Sequence, residues 1–332
     1  MRFEAIRGHD AVRARLRRAT EQPATAYLLY GPDGIGKRRL ADAFTARLLC
    51  TAPADHDVCG TCAQCTRLEA GTHPDRLVIE KDADRRDIRT EQARGLTRWL
   101  GLRPMMAIRK VVIVDGAHQL NAHGQNALLK TLEEPPGDAV IVLVASGLTQ
   151  VLPTVRSRCQ QLRLDPLPAA TVAAALADHG HEPNAARGLA ARAGGSIGRA
   201  LLLADADHEA LRGRVLEMLA RLPEATAAEL SSLASDAGRA APESTLEVAI
   251  SWYRDLLGLV LGGDDDGLRN PDAAAPLAAS ATRLDATAIL RALERICDTL
   301  TALSRNANRV LSIETMLLSL RRLERDAAAI PT

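Results

Sequence analysis

Three apolar runs punctuate the first half of the chain: Ala26-Tyr27-Leu28-Leu29-Tyr30, Val111-Val112-Ile113-Val114 and Val140-Ile141-Val142-Leu143-Val144. Each is near-continuously apolar rather than alternating, the pattern of strands buried on both faces of a parallel sheet. Helical spacing fills the intervals. Leu40, Ala43, Phe44 and Leu48 follow the first run, and Ala127, Leu128 and Leu132 lie within 126–134, before Pro135-Pro136 stops the pattern. This rhythm predicts an α/β domain of βαβ units.

After Leu164-Asp165-Pro166 the pattern changes. From Pro168 onward there are only Ala/Leu-rich helical stretches, broken by Gly180, Pro183, Gly194-Gly195 and Pro223. Three domains are expected: a parallel-sheet core over 1–165, a small helical domain over 166–207 and a helical bundle over 208–332. The loop Gly262-Gly263-Asp264-Asp265-Asp266-Gly267 interrupts the bundle, and its last helix aligns Val310, Ile313, Leu317 and Leu320 in one apolar stripe.

With 332 residues the chain has ample length for a buried core, and with 47% hydrophobic but 2% aromatic residues that core must be mostly aliphatic. Lys and Arg number 42 against 41 Asp and Glu, a net charge of +1, which argues against a polybasic nucleic-acid coat. The scarcity of aromatics leaves little material for base stacking. No apolar run approaches the ~20 residues of a membrane span, and Met1-Arg2-Phe3-Glu4 opens no signal-like segment, so a cytoplasmic protein is expected.

Four of the six cysteines crowd together as Cys50, Cys59, Cys62 and Cys65. Four soft thiolates at this spacing suit tetrahedral Zn²⁺, with Gly60 allowing the tight Cys-x2-Cys turn, and a closed four-thiolate site is structural. An iron–sulfur cluster fits less well, because no Cys-Pro closes the run. His73 is a substitute ligand or a turn residue, while the lone Cys159 and Cys297 are expected as small buried core residues.

Gly31-Pro32-Asp33-Gly34-Ile35-Gly36-Lys37 follows the first strand and precedes a helix, the setting of a phosphate-binding loop. Gly31, Gly34 and Gly36 let backbone N–H groups converge on phosphate oxygens, and Lys37 supplies the cation. The next position, where a Ser or Thr hydroxyl would ligate Mg²⁺, holds Arg38. A cation about 4 Å from a bound metal costs a few kcal/mol per unit charge at an effective dielectric near 20, unless the side chain swings away. Asp115 ends the second strand as a metal-binding aspartate would, but Gly116 stands where a glutamate would polarise water. The loss of such a base typically costs ~10²–10⁴ in rate.

Together with Asn126-Ala-Leu-Leu-Lys-Thr-Leu-Glu-Glu-Pro-Pro136, Ala70-Gly71-Thr72-His73-Pro74-Asp75 behind the cysteines, Ser157-Arg158-Cys159 and Asn306-Ala-Asn-Arg309, these motifs resemble the AAA+ clamp-loader family of bacterial DNA polymerase III. The resemblance spans nearly the whole chain. It implies an AAA+ core, a helical lid and an oligomerising helical collar. The family's ATP-hydrolysing members carry Lys-Ser/Thr, Asp-Glu and a lid arginine where this chain has Lys37-Arg38, Asp115-Gly116 and Gly198. Arg199 comes one residue late, about 100° round the helix.

The pattern is similar to the non-hydrolysing member of the loader ring, with a degenerate site for ATP and Mg²⁺ made of Gly31, Gly34, Gly36, Lys37 and Asp115. By that resemblance Arg158 reaches in trans to ATP held by a neighbour, with Arg156 as a surrogate. The implied partners are gamma/tau and delta subunits, the sliding clamp, and primer–template DNA through the assembled complex. Lys130, Arg103 and Arg109 are candidate DNA contacts, while Arg13, Arg15, Arg17 and Arg18 read as a solvated helix face. The alternatives are an ATP-hydrolysing gamma/tau-type subunit and a zinc-dependent nucleic-acid-binding module with a vestigial loop.

Overall fold

A computed structural model describes residues 2–54, 57–82, 87–263, 267–305 and 307–328. Asp264–Asp266 of the acidic loop and Asn306 lie outside the described residues. The chain divides into two compact units, Met1–Leu201 and Leu202–Thr332.

In the first unit α1 (Asp10–Ala19) precedes β1 (Ala26–Tyr30), α2 (Lys37–Leu49), α3 (Ala63–Glu69) and β2 (Arg76–Ile79). Next come α4 (Thr90–Leu100), β3 (Val111–Asp115), α5 (Ala122–Glu133), β4 (Val140–Ala145), the one-turn α6 (Pro153–Arg156) and β5 (Gln160–Arg163). The helices α7 (Ala169–Asp178), α8 (Pro183–Arg192) and α9 (Ile197–Leu203) follow. The five strands form one parallel sheet in the order β2-β3-β4-β1-β5. The expected parallel-sheet α/β core is therefore present.

Strand alternation divides two cores. Tyr27, Leu29, Val111, Ile113, Val140 and Val142 face Phe44 and Leu40 of α2, whereas Leu28, Val112, Val114, Ile141 and Leu143 face Leu96 of α4 and Leu128 and Leu132 of α5. The three predicted strands occupy the middle of the sheet, where two-sided burial demands apolar residues throughout. Helix α5 starts four residues before the expected 126, because the Asn121 side chain caps it by accepting from the Gly124 N–H at 2.8 Å. It ends at Glu133, ahead of the two prolines.

The basic face of α1 departs from expectation. Arg15 and Arg18 are exposed, but Arg13 donates to the Ile6 carbonyl at 2.5 Å and pairs with Asp10, and Arg17 lies 5.6 Å from the centroid of the Phe3 ring. These two arginines fasten the N-terminal segment through their stems and guanidinium groups instead of facing water.

The second unit is helical: α10 (Ala206–Ala220), α11 (Ala227–Ala240), α12 (Pro242–Val260), α13 (Ala274–Ala281), α14 (Ala286–Ser304) and α15 (Arg309–Ala328). Its core is aliphatic around Trp252 and Tyr253, and Ile313, Leu317 and Leu320 of the predicted stripe are buried in it. Cys297 is not a core residue. It is exposed on α14, one position past buried Ile296 and so about 100° off the inward face. Cys159 is only partly buried.

One core polar pair makes this unit pH-sensitive. Glu324, 3% exposed, accepts from the buried Tyr253 hydroxyl at 2.6 Å, and burial pushes its carboxyl up to about 7. From its ordinary 4.5 up to about 7, the unfolded chain ionises this group while the folded unit keeps it protonated. Stability therefore falls as pH rises, by about 1.4 kcal/mol per pH unit and about 3 kcal/mol in all. Denaturant melts at pH 5 and pH 8 should show this loss in the native chain, and Glu324→Gln should remove most of it.

Candidate functional site

The phosphate-type loop follows β1 at the carboxyl edge of the sheet, where α/β sheets bind their ligands. Gly36 caps α2, whose first N–H groups have no intrahelical acceptor. Lys37 is 6% exposed, and its Nζ donates to the carbonyls of Gly31 and Pro32 at 2.6 Å each and to Asp33 Oδ1 at 3.1 Å. A cleft of about 560 Å³ opens beside it, lined by Ile6, Gly34, Lys37, Arg38, Asp115 and Gly198 among others. That is a volume typical of small-ligand sites. Gly34, Gly36, Lys37 and Asp115 line this cleft, and Gly31 meets Lys37 through its carbonyl.

Arg38 does not swing away. Its Nη1 lies 2.8 Å from Asp115 Oδ2 and 3.3 Å from Glu80 Oε2, and its Nε donates to Asp42 at 3.2 Å. Burial opposes its charge, but Asp42 and Asp115 outweigh burial and raise the guanidinium above its ordinary range. Arg76 completes the cluster with a 2.5 Å bond to Asp42. The carboxylate that would hold Mg²⁺ is therefore spent on a fixed cation. A dication about 4 Å from that cation would meet about 8 kcal/mol of repulsion at an effective dielectric near 20. The residues present do not fit a bound Mg²⁺.

The missing base has a backbone counterpart. Gly116 has φ +95°, left-handed space that a glutamate enters only with strain, and its N–H donates to the Val144 carbonyl. Nearby, His118 Nδ1 accepts from the Ser146 N–H at 3.3 Å and burial lowers its pKa, so a neutral imidazole faces the site.

The start of α9 packs directly on the loop. Gly198 N–H donates to the Gly34 carbonyl at 2.8 Å, and Ser196 Oγ donates to the Asp33 carbonyl at 2.8 Å. A Cβ on Gly198 would come 2.8 Å from Gly34 Cα, so a side chain at the lid-arginine position has no room without moving the loop. Arg199 is half-buried and does not line the cleft.

The four cysteines converge. Their Sγ atoms all lie within 4.8 Å of one another, with Cys50–Cys59 at 3.6 Å and Cys59–Cys65 at 3.9 Å. Tetrahedral Zn–S bonds of about 2.3 Å place sulfurs roughly 3.8 Å apart, so this set fits a four-thiolate metal. The Cys62 and Cys65 N–H groups point at the Sγ of Cys59 and Cys62, at 3.4 and 3.5 Å.

His73 is not a ligand here. It is buried, its Nδ1 accepts from the Asp75 N–H, and its Nε2 meets Gln64 Oε1 at 2.5 Å. Fully buried Asp75 in turn accepts from the N–H groups of Met105, Met106 and Ala107. The Ala70–Asp75 motif therefore braces α3 against the segment before β3.

Arg158 stands apart from both clusters, in the turn between α6 and β5. It is about one-third exposed and rests on Glu133 at the end of α5, to which Nε and Nη2 both donate; Nη1 donates to the Thr154 carbonyl at 2.9 Å. Sequence reasoning missed Glu133 in this role, and also Gln125. Buried Gln125 donates to the carbonyls of Leu120 and Gln150 and accepts from the Leu152 N–H, pinning the approach to α6. Lys130 and Arg103 are exposed and Arg109 is half-buried.

The family profile "DNA polymerase III, delta subunit" matches residues 9–168, and "DNA polymerase III, delta subunit, C terminal" matches 207–322. The chain is 39% identical over 256 residues to DNA polymerase III subunit delta' of Pseudomonas aeruginosa, covering 74% of this chain and 76% of that protein. It is 28% identical over 246 residues to the Bacillus subtilis subunit delta', covering 72% and 74% respectively. To the Escherichia coli subunit tau it is 38% identical over 187 residues, 54% of this chain but 28% of that longer protein. The two profiles and the Pseudomonas match agree: the chain belongs to the delta' subunit family of the DNA polymerase III clamp loader.

Proposed function

We propose that this chain is the non-hydrolysing member of a clamp-loader ring, working in the cytoplasm beside gamma/tau-type and delta subunits. In this reading 1–165 is the core, 166–207 a lid and 208–332 the collar that joins the ring. The complex opens the sliding clamp and sets it on primer–template DNA, while this subunit gives Arg158 to the ATP of a neighbour. Zn²⁺ held by Cys50, Cys59, Cys62 and Cys65 supports the fold and takes no part in chemistry.

The observation that carries the reading is the Arg38–Asp115 bond at 2.8 Å, beside Gly116. A site whose metal-binding carboxylate is neutralised, and which has Gly116 where a water-polarising glutamate would stand, is poorly equipped for hydrolysis. Arg158 meanwhile carries a planar guanidinium fork, held at the surface by Glu133 and the Thr154 carbonyl, and such a fork is the group best suited to stabilising charge on a transferred phosphoryl. Reconstitution tests the assignment. Mixed with its tau/gamma and delta partners, the purified chain should enter the complex and restore clamp loading on primed DNA. A chain that stays out of the complex overturns it.

A further inference from the structure

We propose that the Arg38 guanidinium, fixed on Asp115, Asp42 and Glu80, takes the place of a divalent cation, so that the loop at 31–37 takes a nucleoside di- or triphosphate in metal-free form. This deepens the reading of that loop as a nucleotide site and rests on it.

The charge arrangement carries the argument. Magnesium is held through carboxylates and waters in near-ideal octahedral geometry at about 2.1 Å. At the end of β3 the one carboxylate placed to do this is Asp115, whose Oδ2 already accepts from Arg38 Nη1 at 2.8 Å. The surrounding carboxylates are engaged as well: Asp42 by Arg38 and Arg76, and Glu80 by Arg38. Bonds to three carboxylates anchor the guanidinium, which remains about 29% exposed. A mobile surface arginine would leave when a metal arrived. This one would have to abandon all three partners.

The cleft lining adds cations for a polyphosphate: Arg7, Lys37, Arg38 and Arg39 stand against Asp33, Asp115 and Asp178. Lys37, Arg38 and Arg39 succeed one another at the first turn of α2 and all line the cleft, with the N–H groups of that turn beside them. Metal-bound nucleotide has had part of its charge neutralised and brings its ion to an Asp115 already paired with Arg38. Free nucleotide presents the full negative charge that these side chains match. Lys37 would exchange its loop carbonyls and Asp33 for phosphate oxygens, as its three bonds are all to the loop itself.

Fluorescent ADP and ATP analogues titrated into the purified chain test this, once in EDTA and once in excess magnesium. Binding in EDTA should be at least as tight as in magnesium, and Lys37→Ala should abolish it in both. Arg38→Thr frees Asp115 and supplies a hydroxyl, and should make binding at least about tenfold tighter with magnesium than without. Arg38→Lys keeps the charge and should keep the metal-free preference, so the inference stays testable if the threonine variant does not fold. Tighter binding to the unmodified chain with magnesium overturns it, as does the absence of any binding in EDTA. Neither result touches assembly of the chain into the loader, which the reconstitution above reads separately.

Discussion

Replacing Arg158 with alanine is expected to lower turnover at the ATP site it faces by about 10³-fold or more while the loader still assembles. That factor corresponds to about 4 kcal/mol of transition-state stabilisation. The side chain is free to be spent this way because its bonds lie at the surface: Glu133 at the end of α5 and the Thr154 carbonyl one turn back. Removing it deletes no core contact, so assembly measured by gel filtration should be unaffected. Arg158→Lys should rescue poorly, because an ammonium cannot reproduce a planar fork. Glu133→Gln should leave the site active, since it removes the resting partner and keeps the arginine. Unchanged phosphate release by the alanine complex would remove the role from Arg158.

The second large effect concerns the thiolate cluster. Structural four-ligand zinc in small domains contributes about 10–16 kcal/mol of apparent binding free energy. Here the sheet has its own core, so the loss should be local. Stripping the metal, or Cys62→Ser, should abolish hydrogen-exchange protection over about 58–75 and leave β1, β3 and β4 protected. The reach to residue 75 follows from the chain of bonds through Gln64, His73 and Asp75, which also tethers Met105 to Ala107. Intact protection after chelation would contradict a structural metal. A loss of DNA binding with local protection unchanged would favour the nucleic-acid-module alternative.

The legible parts of the sequence were those where one physical demand dominated. Strands buried on both faces had to be apolar at every position, so β1, β3 and β4 stood out. The edge strands did not: β5 reads Gln160-Gln161-Leu162-Arg163 and buries only Leu162, while β2 is four residues long. The cysteines and the glycine loop were visible because metal and phosphate geometry constrains residue type and spacing together. Partners that arrive from distant elements carried no such signal. Glu80 and Asp115 meet Arg38 from two strand ends and Glu133 meets Arg158 from α5, and none of these pairs is implied by spacing. Asp42, four residues after Arg38 on one helix face, was within reach of sequence reasoning. The α1 arginines misled because a basic helical face looks solvated until the segment it folds against is known.

The site is shaped for nucleotide, but its metal carboxylate is paired with Arg38 and Gly116 stands at the base position, so phosphate release by the purified chain alone is the most direct measurement. With MgATP and primed DNA, release should match the buffer blank and be unaltered by Lys37→Ala. Sustained turnover of about 1 s⁻¹ or more, an ordinary enzymatic rate, abolished by Lys37→Ala, would contradict it.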